Sequence, residues 1–284
     1  MTQTTPVVGV GIAAPQKPCF ADKSMVIPKG ATLILRGDLF IIQNSSGEVI
    51  GGFGCNKGTS NVWADKTGAE KHDPNSLYAL ANRHLKGDGV AVNPEEALKL
   101  FTEAANLGHH GAEYEAGSRL ISSKTPREQI VGRDFLTSAI TSENLSPEQK
   151  KEAQYQLGHY YMHDGKKPDD LAAENFLKQA SDAGHTQAKF ELANLYGKKP
   201  EKDAEVVKLY NEAAKAGHTG AEVALGDIYR DGGLGQNKDL KKALEYYESA
   251  QKHGVPNLKK IIGDIKKEMT MQPERQLPAS IDAA

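Results

Sequence analysis

Sliding the chain against itself exposes a repeat, and the repeat constrains the fold more than any other feature. Four stretches align: AGHTGAEVALGDIY (216–229), AGHTQAKFELANLY (183–196), LGHHGAEYEAGSRL (107–120) and EAQYQLGHYY (152–161). In each, an Ala is followed four residues later by Leu or Ala, then by Gly or Ala. The anchors are Ala112, Ala153, Ala188 and Ala221, with Ser76 opening an earlier copy, at spacings of 33 to 41 residues. That period is the one a repeated helix-turn-helix needs. A second small-residue cluster follows in each copy: Ala104-Ala105 with Gly108, Ala180-Ser181 with Gly184, Ala213-Ala214 with Gly217, and Ala250-Gln251 with Gly254.

The helical period explains the anchors. At 100° per residue, positions 1, 5 and 9 of the first helix share one face, as Ala188, Leu192 and Tyr196 do. Position 6 is small (Ala81, Gly117, Gly158, Ala193, Gly226) where a partner helix must approach closely. The Gly four residues before the next anchor is expected to end the second helix in a left-handed conformation. His109, His185 and His218 each follow that Gly, and their recurrence at one repeat position points to a structural role at the turn, such as capping.

The pattern A-x-x-x-L-G-x-x-Y…G-x-G-V…D…K-A…Y…A-A…G resembles the Sel-one-like repeat (SLR) family, relatives of the tetratricopeptide repeats. The first copy carries Leu80, Gly87, Gly89, Val90 and Ala97; the fifth carries Leu225, Gly226, Tyr229, Ala243 and Tyr246. The second departs most, with SSKTPREQ (122–129) in place of the glycine loop and TSENLSPEQ (141–149) in place of the closing Gly. The expected fold is mainly α: a right-handed α/α solenoid of about five SLR/TPR-like helix pairs, preceded by a small β-rich N-terminal module. The expected boundaries are 1–70 for that module and 71–269 for the solenoid. Within the solenoid the repeats fall near 76–111, 112–152, 153–187, 188–220 and 221–257, followed by a closing helix. The last stretch, 270–284, with Pro273 and Pro278 and no apolar period, reads as a disordered tail.

The β assignment rests on short apolar runs and frequent Gly and Pro between Pro6 and about Glu70, where the helical period vanishes. Asp38–Gln43, a turn at Asn44–Gly47 and Glu48–Phe53 read as a hairpin.

Composition narrows the function. The 284 residues carry 35 basic and 37 acidic side chains, a net charge of -2, so there is no electrostatic case for nucleic acid or an anionic membrane. The longest apolar stretch, Ala31 to Ile42, is broken by Arg36 and Asp38 and is not expected to span a bilayer. The N-terminal segment lacks the basic and apolar regions of a secretory signal. A cytoplasmic protein, or one secreted without a cleavable signal peptide, is expected. Cys19 and Cys55 read as free thiols.

Catalytic and cofactor patterns do not assemble. Gly9-Val-Gly11-Ile-Ala-Ala14 matches a dinucleotide fingerprint but has too short a strand before it and Pro15 after it. Gly51–Thr59 lacks the adjacent Gly-Lys of a phosphate loop. His159 and His163 stand at metal-ligand spacing, but Tyr160 occupies the position of a zinc protease's Glu, and no third ligand is evident. No cofactor, no metal and no catalytic set is expected; an enzyme stays open only through the N-terminal module.

What remains is protein binding. A solenoid presents the first helices of successive repeats along a concave wall. Position 7 points away from the core and is polar throughout: Asn82, Ser118, His159, Asn194 and Asp227. Position 3 carries Tyr78, Tyr114, Tyr155, Phe190 and Val223. Its aromatics serve either as anchors for a partner or as packing between repeats. The expected function is a non-enzymatic scaffold or adaptor for a protein partner. The resemblance implies bacterial scaffolding, signalling or host interaction, including a secreted effector acting on host proteins or a toxin-neutralising immunity protein.

Overall fold

A computed structural model describes residues 32–36, 39–47, 49–54, 62–163 and 168–271. Cys19, Cys55, the 9–14 fingerprint and residues 272–284 lie outside the described residues. The chain divides into two compact units, residues 1–113 and 114–284.

In the first unit, β1 (Thr32–Arg36), β2 (Leu39–Gln43) and β3 (Val49–Gly54) form an antiparallel sheet in that order. The β2–β3 turn is closed by Gly47 N–H to the Asn44 carbonyl at 3.0 Å, and the Asn44 side chain accepts from Ser46 N–H. Asn44 thus builds an Asx turn, and Gly47 supplies the positive φ of 81° that ends it.

Three helices follow: α1 (Val62–Glu70), α2 (Pro74–Lys86) and α3 (Pro94–Asn106). The first corrects the expectation that helix is absent before residue 70. Its sequence, VWADKTGAE, has little helical periodicity, so tertiary context sets its state. Arg83 of α2 holds Asp65 of α1 at 2.6 Å, with both side chains largely buried. Helices α2 and α3 follow the apolar period. Leu77, Leu80 and Ala81 of one pack with Ala97, Leu100, Phe101 and Ala104 of the other. Asp73 caps α2 by accepting from Ser76 N–H at 2.8 Å, and Asn93 caps α3 through Glu96 N–H.

Helix α4 (His110–Leu120) runs from the first unit into the second. The second unit continues with α5 (Pro126–Ala139), α6 (Pro147–His163), α7 (Asp170–Asp182), α8 (Thr186–Tyr196), α9 (Asp203–Lys215), α10 (Thr219–Asp231), α11 (Leu240–Lys252) and α12 (Lys259–Met271). Successive helices pack as pairs, α6 with α7, α8 with α9 and α10 with α11. One apolar cluster runs from Leu177 of α7 to Ile265 of α12, and a second joins Ile121, Leu136 of α5, and Ala153 and Leu157 of α6. Position 6 makes the expected close crossings. A side chain added at Gly158 would meet the backbone nitrogen of Leu177, and one at Gly226 would meet the Tyr247 ring.

The irregular part lies at α4–α6. There the two helices of a pair touch backbone to backbone, because Gly132 of α5 faces the end of α4 as Gly117 faces α5. Helix α6 starts six residues ahead of its anchor Ala153. Its start is a capping box: Gln149 N–H donates to Ser146 Oγ, and Ser146 N–H donates to Gln149 Oε1. TSENLSPEQ therefore replaces the glycine turn by another way of starting a helix. Helix α12 extends through Thr270 and Met271, so the C-terminal tail is not irregular from residue 270.

Candidate partner-binding site

The histidines after the closing glycines organise the first-helix face. Gly108, Gly184, Gly217 and Gly254 have φ of 82° to 90° with open space where a side chain would go, so backbone conformation alone calls for glycine. After the first three, the next residue is a histidine that serves two helices. The backbone N–H of His109, His185 and His218 bonds the carbonyl of Ala104, Ala180 and Ala213, closing the helix behind. Each ring Nδ1 accepts from the N–H of Ala112, Ala188 or Ala221 at 3.0 to 3.1 Å, capping the helix ahead. The capping role expected from recurrence is what the geometry has.

Each ring also lies flat on the position-3 aromatic of the preceding repeat. Tyr78 stacks on His109 (4.4 Å between centroids), Tyr155 on His185 (4.3 Å) and Phe190 on His218 (4.3 Å). The free Nε2 points to the residue just before the anchor: His185 to Glu152 at 3.1 Å, His218 to Gln187 at 2.7 Å. With Nδ1 accepting, the proton sits on Nε2 and the ring is neutral. Burial holds His109 and His218 below the usual imidazole pKa, in the same sense. Tyr78, Tyr155 and Phe190 are half-buried, so repeat packing takes one face of each ring.

Four position-7 residues, Asn82, His159, Asn194 and Asp227, are also engaged internally. Asn82 donates to the Tyr78 carbonyl of its own helix. The exposed Asn194 accepts from Tyr210 of α9 at 2.6 Å, and Asp227 accepts from Tyr247 of α11 at 2.6 Å. Ser118 and Tyr114 sit half-buried on α4. His159 reaches forward to buried Glu191, Nδ1 to Oε2 at 3.1 Å. Glu191 also accepts from Tyr155 OH at 3.0 Å and from the Gln187 amide. The hydrogen bond to Glu191 raises the His159 pKa. Burial pushes the Glu191 carboxyl up, but His159, Gln187 and Tyr155 outweigh it and hold the group below its usual value. The sequence singled out His159 and Tyr155 but missed Glu191, whose place on the buried face of α8 is unusual for a lone carboxylate.

Two predicted residues meet in a groove of about 630 Å³ on the irregular α4–α6 segment. Its walls are Ile121 and Ser122 after α4, Gln129 of α5, and Glu152, Tyr155, Gln156, His159, Tyr160 and His163 of α6. The His159 and His163 rings lie 4.2 Å apart, and His163 Nδ1 is bound to the His159 carbonyl. No group of three or more metal-ligating side chains is present among the described residues.

A periodic array of helix pairs, most of them joined by glycine turns, each burying its apolar face against its neighbours, defines a helical repeat protein of the solenoid class. The Sel1 repeat family matches residues 74–109, 151–185, 186–218 and 220–255, and the chain belongs to that family. The unmatched stretch between the first two matches contains α5 and the irregular turns. Among solved structures, the chain is similar to a protective antigen of uropathogenic Escherichia coli displaying an SLR fold. The TM-score is 0.58 at 20% identity, over 73% of this chain and 44% of the other. It is also similar to a Sel1 repeat protein from Oxalobacter formigenes, with TM-score 0.54 and 18% identity, over 76% of this chain and 91% of the other. These likenesses concern the fold; the chain spans less than half the length of the E. coli structure. No curated protein matches the chain. No helix among the described residues is long and apolar enough to cross a membrane.

Proposed function

We propose that this chain is a non-enzymatic scaffold that holds a protein partner on the first-helix face of its repeats. The groove at α4–α6 is the principal contact, and the residues named for that face are Tyr78, Asn82, Tyr114, Ser118, Tyr155, His159, Phe190, Asn194 and Asp227. The observation that carries the reading is the groove, where two tyrosines and several hydrogen-bonding side chains converge on one open concavity. Sel1 repeats generally mediate protein–protein interaction, which fits this surface. The β1–β3 sheet supplies a second contact.

The test is partner capture by the full chain and by a triple His159→Ala, Asn194→Ala, Asp227→Ala variant. Loss of a specifically captured protein is expected, with the variant still folded by circular dichroism. Because Tyr210 and Tyr247 lean on Asn194 and Asp227, a second variant changes only Gln156 and His163, which hold neither tyrosine. Undiminished capture by both would place the contact elsewhere.

A further inference from the structure

Helix α12 repeats the first helix of a pair. After Gly254 the sequence runs VPNLKKIIGDIKK, in register with HTGAEVALGDIYR after Gly217. Leu258 stands where Ala221 does, Ile262 where Leu225 does, and Gly263-Asp264 where Gly226-Asp227 do. Leu258 and Ile262 are buried, and α12 packs back on α11 as α10 packs back on α9. The other face differs. A side chain added at Gly117, Gly158 or Gly226 would meet Leu136, Leu177 or Tyr247 of a second helix, but one added at Gly263 would meet nothing. Gly226 is buried and Gly263 is exposed. A glycine inside an exposed helix costs stability relative to alanine, and no close approach among the described residues calls for this one.

The preceding pairs show what such a face holds. Tyr247 of α11 lays its ring against Gly226, donates its hydroxyl hydrogen to Asp227 at 2.6 Å and accepts from Arg230 Nη1 at 3.1 Å. One repeat earlier, Tyr210 of α9 donates to Asn194 at 2.6 Å, next to Ala193. Helix α12 keeps all three parts of the Tyr247 seat: Gly263 for the ring, Asp264 as acceptor and Lys267 in the place of Arg230. One position is reversed in charge. Glu222, which accepts from Ser249 Oγ and His253 of α11, is replaced by Lys259. Lys266 holds Glu248, but Lys259, Asp264 and Lys267 have no ion-pair partner among the described residues.

We infer that α12 receives a helix of a protein partner, which presents a tyrosine to Gly263 and Asp264 and a carboxylate to Lys259. The glycine lets the two backbones approach closely, the tyrosine supplies buried area with one donor, and the carboxylate answers the reversed charge. A second copy of the chain fits less well. The exposed Lys259, Lys260 and Lys267 outnumber Asp264, so two α12 faces repel each other. Tyr210 and Tyr247, which would suit the seat, are already held by their own first helices. The stretch 272–284 contains no tyrosine. This surface goes beyond the scaffold reading and shares no residue with the α4–α6 groove.

The test is a ¹H–¹⁵N NMR titration of the full chain with a terminally blocked peptide of the 239–254 sequence carrying Ser249→Glu and His253→Glu. Saturable shifts confined to the amides of 254–271 are expected, in the millimolar range. The same peptide with Tyr247→Phe should bind about ten-fold more weakly, because it cannot donate to Asp264. In the protein, Gly263→Leu should abolish the shifts without lowering the thermal midpoint, since leucine is the better helix former and meets nothing there. Lys259→Glu should reverse the preference toward the unaltered 239–254 peptide, whose Ser249 and His253 serve Glu222 in the chain. No saturable shift, shifts centred on α10, equal binding of the Tyr247→Phe peptide, or binding retained in Gly263→Leu overturns the inference. So does a lowered midpoint in Gly263→Leu, which would show that packing within the chain calls for the glycine. If Gly263→Leu alone moves the amides of 272–284, or turns a dimer into a monomer by diffusion measurement, the face belongs to the chain's own end or to a second copy, and the inference falls. The capture variants leave α12 intact, so loss of capture and loss of peptide binding report on the two surfaces separately.

Discussion

At the residue scale, the recurring histidine has a definite protonation requirement. His218 Nδ1 must hold a lone pair to cap α10, and burial already lowers the pKa of His218 and His109. A folded-state pKa below the usual 6.5 means the folded chain binds fewer protons than the unfolded one. Their contribution to stability is therefore complete above pH 6.5 and is lost as pH falls through the folded value. His159 has the opposite sign. Its raised pKa contributes below pH 6.5 and is lost as pH rises through the folded value. Thermal unfolding of the His218→Asn variant, which keeps a good cap but does not titrate, should lose less stability than the parent between pH 7 and 5. His218→Ala should cost about 1 kcal/mol for the cap and about 1 kcal/mol more for the ring stacked on Phe190, read at pH 7.5 by urea unfolding. An identical acid response in parent and His218→Asn would refute the capping role.

At the element scale, two kinds of glycine separate cleanly. Gly184 has a positive φ and empty space around it, so Gly184→Ala should cost about 1–2 kcal/mol from backbone conformation alone. Gly132 has ordinary helical conformation but no room. An added methyl would meet the backbone nitrogen of Ile121 and the Leu120 carbonyl carbon, neither of which can swing aside. Gly132→Ala should cost more than about 2 kcal/mol by forcing α4 and α5 apart, checked by equilibrium unfolding. The repeat pattern made Gly184 legible, because a glycine recurs there in four copies. Gly132 was not legible: no other copy has one at that place, and the need arises only when two helices cross. The same holds for α1, whose sequence does not announce a helix and which Arg83 of the neighbouring helix helps to hold.

On the scale of the whole chain, each unit is stabilised mainly by contacts between neighbouring helix pairs, so damage should stay local. Ile265 of α12 is 2% exposed and covers the last pair. Ile265→Ala should cost about 2–4 kcal/mol, and amide exchange should quicken most in α10–α12, less in α8–α9 and least in α6–α7. Uniform loss of protection would show the unit to be one cooperative block instead. The sequence by itself determined the helix pairs, their small crossing positions and the turns of glycine and histidine, because each repeats and each follows from the local period of the chain. Only the tertiary structure decided what the polar and aromatic ladder touches. Asn194 meets Tyr210, Asp227 meets Tyr247, and His159 finds Glu191 of the next repeat. Those partners lie 16 to 36 residues away, with Tyr155 and Glu191 the farthest pair. Helical periodicity says which face a side chain takes, but not what crosses over it. The groove at α4–α6 belongs to the same category: it opens where the repeat pattern breaks and a helix starts early, and the shape left behind is set by how the helices pack.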